Sequence, residues 1–133
     1  MTRINAGIPV EKLSDQHLLA EHREIKRIPR TVFKGVVPDK FTLGKGHVLF
    51  FSDKPRYTFG RYVELYDECH RRGFNVEYYG TNWDFPNETS YTPSSYDSCL
   101  VKHRIIERAS TSKQVIRYWG KPISIQEYID LLS

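Results

Sequence analysis

Polar and apolar residues recur on a helical period in three parts of the chain. Ser14 is placed to cap a helix running from Asp15 to Arg27. At about 100° per residue, Leu18, Ile25 and Ile28 fall on one side of it. Gln16, Ala20, Arg23, Glu24 and Arg27 fall on the other. Pro29 predicts a kink or the end of this helix. Asp53 is the expected cap of a second helix, with Pro55 in its first turn and Gly73 as a left-handed stop. A third is expected from Pro93 through Arg108. Between them, Gly44 and Gly46 precede an apolar run, Val48-Leu49-Phe50-Phe51, that reads as a buried strand or an irregular buried segment. Gly80, Asn82, Pro86 and Asn87 mark residues 76–91 as an irregular loop, and the tail from Val115 is aromatic and basic. The pattern predicts a mainly α, single compact domain over residues 1–133, with about three helices joined by irregular segments.

Composition agrees with one folded domain. The chain has 133 residues, 39% of them hydrophobic and 14% aromatic. Lys and Arg number 20 against 16 Asp and Glu, a net charge of +4 that permits a polyanionic partner without demanding one. Cys69 and Cys99 have no metal-ligand spacing, so no zinc site is expected, and free buried thiols in a reducing compartment are. His17, His22, His47, His70 and His103 also lack metal spacing; His47 reads as a satisfied structural histidine. No apolar run reaches the roughly 18 residues that span a bilayer, and the first residues lack a leader pattern.

The polar side of the first helix is the main chemical feature. Arg23 and Arg27 could grip phosphates. Glu24 beside them would repel DNA, so it needs a chemical role or an ion pair. A solvated face is the commoner outcome for such a stripe. Arg104 and Arg108, four apart, share a face of the third helix. The tail Arg117-Tyr118-Trp119-Gly120-Lys121 suits either stacking on nucleic acid or docking on the core.

Several blocks occur in an order that matches a known family. They are Met1-Thr2-Arg3-Ile4-Asn5, Asp15-Gln16-His17-Leu18, and Ala20-Glu21 leading to Arg23-Glu24. Later come Leu43-Gly44, Gly46-His47-Val48, Glu68-Cys69, Arg72-Gly73-Phe74-Asn75, and Tyr118 with Gly120-Lys121. The chain thereby resembles the T-even bacteriophage pyrimidine dimer DNA glycosylase / AP lyase (endonuclease V) family. The resemblance implies that Thr2, freed by removal of Met1, supplies an α-amine nucleophile, and that Glu24 is the catalytic carboxylate. It implies DNA contacts from Arg3, Gln16, Arg23, Arg27, Arg104 and Arg108. The sequence departs from the family at His22, Tyr62 and Val115, and it extends past the family's usual end through Ile125 to Ser133.

The implied activity is removal of a base from an ultraviolet-induced cyclobutane pyrimidine dimer, followed by strand cleavage by β-elimination through a Schiff base. The implied enzyme is a cytoplasmic monomer, and the family it resembles is known from phages that act in bacterial hosts. It binds damaged double-stranded DNA and needs no metal or organic cofactor. Two alternatives stay open on the residues alone. One is a related glycosylase or abasic-site lyase for another modified base. The other is a non-catalytic DNA-binding module, although binding alone has no use for Glu24.

Overall fold

The computed structural model describes residues 2–84 and 90–133. An extended N-terminal segment leads through a 3-10 turn, Val10–Lys12, into α1, Asp15–Ile25. Ser14 caps α1 as expected, its hydroxyl accepting the His17 N–H. The α-helix stops short of Arg27. Residues 26–30 continue as tight turns, with the Arg27 N–H bonded to the Glu24 carbonyl, because Pro29 lacks the N–H that a further helical turn would use.

Where a strand or irregular segment was expected, the chain forms a one-turn helix, α2, His47–Phe50. Gly44 (φ 70°) and Gly46 (φ 88°) take the left-handed backbone that turns the chain into it. Helix α3 runs Pro55–Arg71. Asp53 does not cap it: Lys54 occupies the cap position, and the Asp53 carboxylate pairs with the Lys54 ammonium at 2.8 Å. Gly73 (φ 88°) ends α3 as predicted. Its N–H bonds the His70 carbonyl while the Phe74 N–H bonds that of Cys69, the paired bonds of a Schellman turn. Helix α4, Ser95–Thr111, begins with a reciprocal Ser94/Asp97 capping box just after Pro93. Residues 85–89 of the expected 76–91 loop, including Pro86 and Asn87, lie outside the described residues.

The tail is more regular than the sequence suggested. Strands β1, Ile116–Tyr118, and β2, Lys121–Ile123, form an antiparallel hairpin in which Ile116 faces Ile123. Its two-residue turn is Trp119 (φ 53°) and Gly120 (φ 78°), a pair of positive φ values that suits a hairpin's twist. Ser124 then caps α5, Ile125–Leu132, with Glu127 completing a second capping box. The described residues thus hold five α-helices rather than about three, within the predicted mainly helical class.

The core joins Ile4, Ala6 and Ile8 of the N-terminal segment to Leu18 and Ile25 of α1, Phe50 and Phe51, Leu65 of α3 and Val101 and Ile105 of α4. Such burial contributes roughly 1.5–3 kcal/mol per large side chain. Cys69 is buried, and burial raises its thiol pKa to about 11. Cys99 is exposed, against expectation, because it lies on the outer side of α4. No described helix is long and apolar enough to cross a membrane.

Candidate active site and DNA interface

The N-terminal segment is held by side chains rather than by a sheet. Three consecutive backbone N–H groups each meet a different buried acceptor. Arg3 N–H donates to Glu24 Oε1 at 2.9 Å, Ile4 N–H to His47 Nε2 at 2.9 Å, and Asn5 N–H to Glu21 Oε2 at 3.1 Å. The Thr2 hydroxyl reaches the Glu24 carbonyl at 3.5 Å. Thr2 is 8% exposed and Glu24 7%. The carboxylate expected to do chemistry therefore sits one residue from the expected nucleophile, fixed by a backbone bond.

Two of these acceptors, Glu21 and His47, are themselves fixed. Arg61 bonds Glu21 through two nitrogens, Nε at 2.8 Å and Nη2 at 2.9 Å, and also donates to the Ile8 carbonyl. Asn5 Nδ2 adds a bond to Glu21 Oε1 at 3.0 Å. Both ions are buried, so losing either partner would strand a charge at a cost of about 3–5 kcal/mol. His47 donates from Nδ1 to the Thr42 carbonyl at 2.8 Å, which leaves Nε2 free to accept from Ile4. Burial lowers the His47 pKa to about 4, so the ring is neutral as this arrangement requires.

Cations surround this point. Arg104 reaches the Ile4 carbonyl and Asn5 Oδ1 at 3.4 and 3.3 Å. Its pKa falls to about 10, first through burial and then through the charge of Arg3, with Arg108 adding to the effect. Arg3 Nε is buried and has no partner among the described residues. Arg3, His17, Ala20, Glu24, Arg104 and Arg108 line a recess of about 30 Å³. It adjoins a groove of about 590 Å³ that shares His17, Ala20 and Arg108 and includes Gln16 and Arg23. The Arg23 side chain is 65% exposed and lies 3.9 Å from Glu24 Oε2. Arg27 is exposed on the turn after α1.

The structure therefore brings together Thr2, Arg3, Glu24, Arg104 and Arg108, with Arg23 on the rim. Gln16 is engaged elsewhere. Its Oε1 accepts the Arg117 N–H at 3.0 Å and its Nε2 donates to the Val115 carbonyl, so both ends of the amide hold the hairpin. Asp15 completes this anchor by accepting the N–H groups of Trp119 and Gly120 at 3.1 and 2.8 Å. The aromatic-basic tail is docked on α1, although Trp119 stays 45% exposed.

The arrangement offers a buried carboxylate beside the chain's second residue, inside a cationic cleft. The family model for pyrimidine dimer DNA glycosylases matches residues 1–79, more than half of the 133-residue chain. The chain belongs to the pyrimidine dimer DNA glycosylase family. It is accordingly a DNA-repair glycosylase whose substrate is DNA. The match covers the whole N-terminal clamp and α1–α3; α4, the hairpin and α5 lie beyond it.

Two of the departures from the family pattern touch each other. His22 stacks on Tyr62 with ring centroids 5.3 Å apart. Tyr62 is fully buried, and its hydroxyl accepts the Tyr79 N–H at 2.7 Å. This pair packs α1 on α3 and supports residues 77–79 rather than facing the cleft. Among described residues no cluster of three or more His, Cys, Asp or Glu is arranged to hold a metal.

No role was expected for Glu21, Arg61 or Asn5 from the sequence. A signal existed: Glu21 falls on the Leu18/Ile25/Ile28 side of α1, and a charge on an apolar face announces a buried partner.

Proposed function

We propose that this glycosylase is bifunctional. It removes a base of an ultraviolet-induced pyrimidine dimer and then cuts the strand as an abasic-site lyase, with the Thr2 α-amine as nucleophile once Met1 is removed. The observation that carries the reading is the 2.9 Å bond from Arg3 N–H to Glu24 Oε1. It sets a buried carboxylate beside Thr2 within a cleft of arginines.

An α-amine has an ordinary pKa of about 7.7–8.0, so a useful fraction is neutral at physiological pH. The cations beside it favour that neutral form, and the Glu24 carboxylate opposes them. The amine nitrogen attacks C1′ of the damaged nucleotide, and the glycosidic bond breaks with its electron pair leaving on the base. The sugar ring then opens as the nitrogen loses protons and forms a Schiff base with C1′. Loss of a C2′ proton expels the 3′ phosphate by β-elimination. Glu24 stabilises the cationic sugar and moves these protons. Arg3, Arg23, Arg27, Arg104 and Arg108 hold the phosphates, and Gln16 acts through the hairpin it fixes on the DNA-facing side. Reaching C1′ requires an extruded nucleotide, which costs least where a lesion has already weakened stacking. The protein acts as a monomer on damaged duplex DNA.

The test is reductive trapping on ultraviolet-irradiated, abasic and undamaged duplexes. A borohydride-stabilised adduct with the first two only is expected. An adduct with abasic DNA alone would reassign the protein as a lyase, and none at all would leave only binding.

A further inference from the structure

Helix α5 lies beyond the matched region and away from the recess, yet it reaches the helix that carries the catalytic glutamate. Tyr128 of α5 is fully buried. Its hydroxyl oxygen accepts the Ser14 N–H at 3.0 Å and lies 2.7 Å from His17 Nδ1. The two rings stack with centroids 5.7 Å apart. Burial raises the Tyr128 pKa, so the phenol keeps its proton. With the Ser14 N–H already directed at the phenol oxygen, the imidazole nitrogen 2.7 Å away is placed to accept that proton. Ser14 Oγ, 3.1 Å from the same nitrogen, already accepts the His17 backbone N–H.

We propose that Tyr128 is a positioning residue that holds His17 as the Nε2–H tautomer and directs that N–H toward an oxygen of the nucleotide bound in the cleft. This rests on the catalytic reading of the cleft given above. His17 lines both the Arg3/Glu24 recess and the adjoining groove. With Nδ1 bound to the phenol, the opposite edge of the ring is the one left for the cleft. The ring is neutral: burial lowers its pKa to about 4, the charges of Arg3, Arg108 and Arg104 act in the same direction, and Glu21 opposes them. A neutral donor bonds a phosphate or carbonyl oxygen without adding another cation to a crowded site. The C-terminal extension thus takes part in the activity by fixing a proton's position on α1.

Long-range proton–nitrogen NMR of the full chain without DNA reads the tautomer directly. The wild-type protein should show His17 protonated at Nε2. In Tyr128→Phe, which keeps the ring and removes the hydroxyl, a mixed tautomer should appear. Its kcat/KM should fall about five- to tenfold, the equivalent of one hydrogen bond. His17→Gln places an amide donor near the Nε2 position, so adding Tyr128→Phe to it should cost no further activity. An Nδ1–H signal in the wild type would overturn the proposal, as would an unchanged tautomer in Tyr128→Phe or equal losses in both backgrounds. The wild-type spectrum can overturn the proposal even if a variant fails to fold. It is also independent of the catalytic reading, which fails separately if Glu24→Gln keeps full activity.

Discussion

The two ends of the chain are anchored to the same helix by different means. At the N-terminus, backbone N–H groups run into buried Glu21, Glu24 and His47, of which Glu21 is held by buried Arg61 and His47 by the Thr42 carbonyl. At the C-terminus, the hairpin turn and strand lean on Asp15 and Gln16, while Trp119 and Val115 remain exposed. The first anchor has little slack, because loosening it strands an ion in the core. The second shares its load: Arg72, which pairs with Asp15, also bonds Glu68 and the Leu13 carbonyl. The end at which the chemistry is proposed is tied to a buried ion pair, and the hairpin is held by bonds that can be changed one at a time.

The largest effect expected is at the first anchor. Glu24→Gln can still accept the Arg3 N–H but carries no charge. Glycosylase activity should fall by roughly 10²-fold or more, with duplex binding in a mobility shift nearly unchanged. Stability then compares the two anchors. Glu21→Ala should cost about 3–5 kcal/mol in urea unfolding, since Arg61 loses its counter-ion. Asp15→Ala should cost about 1–3 kcal/mol. Equal costs would erase the distinction drawn above.

The pH dependence follows from three histidines. Burial lowers the pKa values of His17, His22 and His47 to about 4. Unfolded, they take up a proton near pH 6.5; folded, they do so only near 4. Their contribution is therefore complete above about pH 6.5 and is lost as pH falls toward 4, by up to about 1.4 kcal/mol per histidine for each pH unit. A melting temperature that stays flat from pH 7.5 to 4.5 would contradict this. The smallest change is expected at the rim. Arg23→Ala and Arg27→Ala should each lower the salt-dependence slope of DNA binding by about 0.9 for every phosphate left without its arginine.

Helices α1, α3 and α4 were legible because each carries an apolar period and a local signal: Ser14, Gly73 and Pro93. Helix α2 was not, since four apolar residues in a row have no period, and its entry depends on the left-handed backbone of Gly44 and Gly46. The hairpin strands, three residues each, are too short to show alternation. At the site, the arginine–glutamate stripe was visible, but its depth was not: Arg23 and Glu24 are neighbours in sequence, one exposed and one buried. The Glu21–Arg61 pair joins residues 40 apart, so only folding could reveal the partner. Thr2 carries no pattern, and family resemblance alone pointed to it.

The central claim is that the α-nitrogen of Thr2 forms the covalent link to the sugar. Peptide mapping of the borohydride-trapped complex with dimer-containing DNA tests it most directly. The modification should reside on Thr2, with Met1 absent, and should not form when an extra residue precedes Thr2. An adduct on a lysine side chain, or undiminished trapping by the extended protein, would contradict the account.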